Sequence, residues 1–108
     1  MTIEQNKRLL LELDKHRYDV NKEIINANIE DLNLDKLKPI VEMVAKSRAA
    51  YLGELMSIAN AETANIGPKI ERLKARREEF MELVKATNAL EIAIERGYLD
   101  ILGYREED

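Results

Sequence analysis

Glycine and proline, the residues that most readily break regular structure, occur only four and two times in 108 residues. So few breaks leave room for a few long elements and argue against a succession of short strands and tight turns. The clearest break is Gly67-Pro68. Glycine suits the left-handed position that ends one helix, and proline suits the first position of the next. On either side of that pair, apolar residues recur at alternating three- and four-residue spacing, the pattern of packed helices.

Helix 1 is predicted to begin at Thr2, which has capping-box spacing to Gln5, with Glu4 placed where the helix dipole favours negative charge. Its stripe is Leu10, Leu13, Val20, Ile24 and Ala27, widened by Leu9, Leu11 and Ile25. Asn26, Asn28 and Asp31 lower helix propensity, so the helix should end near residues 28–30. Asp35 is a credible N-cap for helix 2, with Pro39 in the first turn or just past it. Helix 2 then runs from about Lys36 to Asn65. Leu37, Ile40, Val41, Val44, Tyr51, Leu55 and Ile58 form one apolar set on it, and Met43, Ala50, Leu52, Met56 and Ala59 a second. An apolar arc this wide implies more than one neighbour. Helix 3 runs from about Pro68 to Arg96, with Ile70, Leu73, Phe80, Val84, Leu90 and Ile94 inward. Gly97 interrupts it, and Tyr98 to Leu102 reads as a short helical continuation.

The expected fold is therefore all-α: an antiparallel up-down-up bundle of three long helices with a short C-terminal helical extension. Residues 1–104 form a single domain and 105–108 an acidic tail. With one Phe, four Tyr and no Trp, the core must be largely aliphatic. Leu13, Val20, Tyr51, Leu55, Phe80 and Val84 should be mostly buried. A helical hairpin that dimerises is the architectural alternative.

A net charge of −4 argues against nucleic acid or an anionic membrane as the default partner. Absence of cysteine excludes disulfides and thiolate chemistry. The polar start Met1-Thr2-Ile3-Glu4 does not read as a signal peptide, and no uncharged stretch approaches a membrane span. A cytoplasmic location is expected. No phosphate-binding loop or nucleophile motif is present, so neither an enzyme nor a small-molecule substrate or cofactor is expected.

Three constellations stand out. Glu12, His16, Asp19 and Glu23 share one face of helix 1. A di-metal site would need paired Glu-x-x-His motifs, which the chain lacks, so a solvated face is the expectation and no metal is assigned. Lys69, Arg72, Lys74, Arg76 and Arg77 open helix 3, where basic charge opposes the dipole. They suit a charge-laced exposed face, an acidic protein partner or nucleic acid, with Glu71, Glu78 and Glu79 diluting any phosphate-binding stripe. The third is Ala89 to Leu102, whose apolar residues cover more circumference than one seam uses. Either a neighbouring helix or a second chain covers the excess, or it receives a partner helix.

The run Asn88, Leu90, Glu91, Ile94 and Tyr98-Leu99-Asp100-Ile101-Leu102-Gly103-Tyr104, behind two earlier long helices with Lys46 and Arg48 on the second, resembles the FlgN-type flagellar export chaperones and, more loosely, the FliT type. The likeness covers the whole chain as topology and about residues 88–104 as motif. It implies a cytoplasmic chaperone that binds a C-terminal amphipathic helix of a secreted hook-associated subunit. Leu90, Ile94, Tyr98, Leu99, Ile101 and Leu102 would be the partner-binding residues. The expected function is a non-enzymatic helical adaptor or chaperone for a partner's amphipathic helix. The alternatives are a self-associating homodimeric subunit and a nucleic-acid accessory protein using residues 69–77.

Overall fold

A computed structural model describes residues 1–60 and 66–103. It contains three α-helices, α1 (Ile3–Asn28), α2 (Leu34–Ala59) and α3 (Ile66–Glu95), and no strand among the described residues. The all-α, three-helix class is as the sequence predicts. The last turns expected of helix 2, to Asn65, and the tail 105–108 lie outside the described residues.

The capping box at the start of α1 forms as read. The Gln5 N–H donates to Thr2 Oγ1 at 3.2 Å, and the Thr2 N–H donates to Gln5 Oε1 at 2.8 Å. Two other boundaries differ. Asp35 lies in the first turn of α2 rather than capping it. Gly67 does not end a helix: it sits with Pro68 inside the first turn of α3, and its φ is not positive. Proline costs little there, because the N–H it lacks has no helical acceptor in that turn. Glycine is the easiest residue to hold helical ahead of a proline, having no Cβ to clash with the ring.

The chain divides into two compact units, one of residues 35–91 and one built from 1–34 with 92–108. Within the first, α2 and α3 form an antiparallel hairpin. Tyr51 and Phe80 meet with ring centroids 6.0 Å apart, the Arg48 guanidinium lies 5.3 Å from the Phe80 ring, and Arg76 reaches Glu54 at 3.9 Å. Lys69 Nζ donates to Ser57 Oγ at 3.5 Å, near the end of α2 and the start of α3. The half-buried residues Ile40, Val44, Ser47, Tyr51, Glu54 and Ile58 mark the α2 side of the seam. Their four–three spacing keeps one helix face against its neighbour. One expected core residue of the hairpin falls outside it: Leu55 is 49% exposed, and Glu54 takes the seam position beside it. Tyr51, Phe80 and Val84 are half-buried.

In the second unit, the buried apolar residues are Leu32, Ala93, Tyr98 and Leu99. They gather where the end of α1, the link after it, the last turn of α3 and the chain beyond it meet. Residues 3–19 of α1 are all exposed, Leu13 at 47% among them. Val20, also expected to be mostly buried, is half-buried.

Candidate partner-binding surface

The C-terminal segment is not the helical extension its composition suggests. α3 closes in a Schellman arrangement: the Tyr98 N–H donates to the Ala93 carbonyl at 2.8 Å, and the Gly97 N–H to the Ile94 carbonyl at 3.0 Å. Gly97 takes the left-handed conformation this requires, φ +77°, which glycine adopts without a Cβ penalty. The apolar contact that accompanies such an ending is supplied by Ala93 and Tyr98, both buried. Beyond it the chain is irregular.

Asn26 holds that irregular chain in place. Its Nδ2 donates to the Tyr98 carbonyl at 2.9 Å and to the Lys22 carbonyl at 2.8 Å, and its Oδ1 accepts from the Asp100 N–H at 3.2 Å. The Leu102 N–H donates to the Leu32 carbonyl at 2.8 Å, and Tyr18 packs on Tyr98 with centroids 5.9 Å apart. In the sequence Asn26 reads only as a weak helix former. A side-chain amide that serves a segment 72 residues away leaves no local signal.

The six residues expected to bind a partner therefore part company. Tyr98 is buried and Leu99 is only 4% exposed, so neither can contact a partner while this unit stays folded. Ile94 and Ile101 are half-buried in the same unit. Leu90 is half-buried in the hairpin, beside a shallow groove lined by Ile40, Met43, Leu83, Ala86 and Thr87. Leu102 alone is largely open, at 49%.

Apolar surface also remains exposed on α2, as it does on α1. Val41, Ala45, Arg48, Leu52, Leu55 and Ala59, all exposed, follow one position after the seam residues and share their four–three spacing. A second stripe thus runs beside the seam. A groove lined by Val41, Val44, Ala45, Arg48, Thr87 and Glu91 adjoins it on the hairpin.

The basic cluster is partly consumed within the hairpin. Arg76 is shared between Glu54 and Glu79, and Lys69 bonds Ser57. Among the described residues, no three histidine, aspartate or glutamate side chains are grouped as a metal site would need, and no helix is long and apolar enough to cross a membrane. No protein-family model, curated protein or solved structure matches the chain.

Proposed function

We propose that this protein is a non-catalytic helical adaptor of the cytoplasm that receives an amphipathic helix of another protein along α2. The observation that carries this reading is the second apolar stripe on α2, led by Val41, Leu52 and Leu55. A helix needs one seam to hold one neighbour, and α2 presents two. Burying a fully exposed large aliphatic side chain stabilises a complex by about 1.5–3 kcal/mol before ordering costs. Met43 and Met56, also exposed, add side chains that adjust to different partner shapes. Arg48 lies within the stripe, so acidic residues flanking the partner's apolar face would suit it.

The resemblance to FlgN-type export chaperones supports a narrower form, in which the partner is the C-terminal helix of a secreted flagellar subunit. The contact surface then lies on α2 rather than at Tyr98 and Leu99, which serve the chain's own core. The test is a fluorescence-anisotropy titration with a labelled synthetic C-terminal helix of a hook-associated subunit. Saturable binding that Leu52→Glu abolishes is the expected result. Binding that Leu52→Glu leaves unchanged would remove α2 as the receiving face, and no binding by the unaltered chain would remove the flagellar form.

A further inference from the structure

We infer that α1 pairs with α1 of a second copy of this chain, antiparallel, over residues 3–20. This face is distinct from the α2 stripe, so the inference does not rest on the function proposed above.

The α1 seam consists of Ile3, Asn6, Leu10, Leu13, Arg17 and Val20, at alternating three- and four-residue spacing. Every one is exposed except Val20, which is half-buried. Four of the six are large aliphatics, and none lies among the buried residues of the unit that contains them. A seam of this length has the form of a short coiled coil.

Its two polar members choose the direction. In a parallel pair, Asn6 meets Asn6 and Arg17 meets Arg17, which sets two guanidinium charges against each other inside the seam. In an antiparallel pair, the register that opposes Leu10 to Leu13 also opposes Ile3 to Val20 and Asn6 to Arg17. The amide oxygen of Asn6 can then accept from the guanidinium, and every apolar layer is matched. The flanks agree. The same register brings Lys7 alongside Asp14 of the second copy, twice by symmetry. Asp14 already holds Arg17 within its own helix at 2.6 Å, so the carboxylate lies toward the seam. Among the described residues no ion pair involves Lys7. Opposite charges beside a seam fix partner orientation more than they add affinity.

Sedimentation equilibrium on the full chain tests the pairing. A dimer is expected, and Leu10→Gln with Leu13→Gln should raise its dissociation constant on the order of a hundredfold or more. Both positions are exposed in the single chain, so the tyrosine near-UV dichroism from Tyr18 and Tyr98 should persist and show that the fold survives. Direction is read by disulfide trapping in this otherwise cysteine-free chain. The double variant Asn6→Cys/Arg17→Cys should cross-link into a covalent dimer under mild oxidation, and neither single variant should. Cross-linking by either single variant would establish a parallel pair and overturn the inference. So would a monomer at every concentration, or a dimer that tolerates Leu10→Gln/Leu13→Gln but is lost in Leu52→Gln.

Discussion

Leu99 and Leu102 are three residues apart in an apolar-rich segment, yet they have opposite environments. Leu99 is enclosed and Leu102 is half open. The difference follows from Gly97: once the backbone turns left-handed, helical periodicity no longer decides which side chains point inward. Leu99→Ala should therefore destabilise the protein by about 2–5 kcal/mol. Leu102→Gln should stay within about 0.5 kcal/mol of the parent. Urea unfolding of the two single variants checks this, and equal losses would mean that the irregular ending is not formed in solution. Asn26 belongs to the same cluster. Its amide makes three hydrogen bonds, two of them to the segment that carries Leu99.

Among the elements, the hairpin seam is the one whose residue chemistry departs furthest from an aliphatic zipper. Phe80 meets both the Tyr51 ring and the Arg48 guanidinium of α2 and remains half-buried. Phe80→Ala should cost about 1–2 kcal/mol, below the 3–5 typical of a fully enclosed aromatic. A larger loss in chemical denaturation would indicate that a further element covers the ring.

The extent of each helix was legible in the sequence where the signal is local. Thr2 and Gln5 announce the start of α1, and the run of Asn26, Asn28 and Asp31 its end. The division of α2 between seam and surface was not. Val41, Leu52 and Leu55 are as apolar as Ile40, Tyr51 and Ile58, and they belong to a stripe that repeats the seam's spacing one residue later. Either stripe could have faced α3. The choice depends on partners far along the chain, such as Arg76 for Glu54. The burial of Tyr98 and Leu99 was illegible for a related reason. Tyr98 and Leu99 look like an exposed apolar excess until Asn26 and Leu32, distant in sequence, close over them.

At the level of the whole molecule, the two units are threaded unequally. Residues 35–91 form a continuous hairpin, whereas the other unit is assembled from both flanks of that hairpin. Among the described residues, three of the four that are buried, Ala93, Tyr98 and Leu99, come from the later flank. A chain truncated after Glu91 keeps every hairpin contact and loses the apolar centre of the other unit. Its circular dichroism should show melting of the second half of α1, while nuclear Overhauser contacts between Tyr51 and Phe80 persist. Full retention of α1 helicity in the truncated chain would show that the ending is dispensable to it.

The same threading sets an order of events during synthesis. Asn26 is made long before the backbone it clamps, because Tyr98 follows it by 72 residues. At translation rates of about 5–20 residues per second, that delay is roughly 4–14 s. Late in this interval α1 stands outside the ribosome before the segment that completes its unit has been made. Leu10 and Leu13 are open to any neighbouring nascent chain, and two ribosomes on one message would present the same helix to each other at high local concentration.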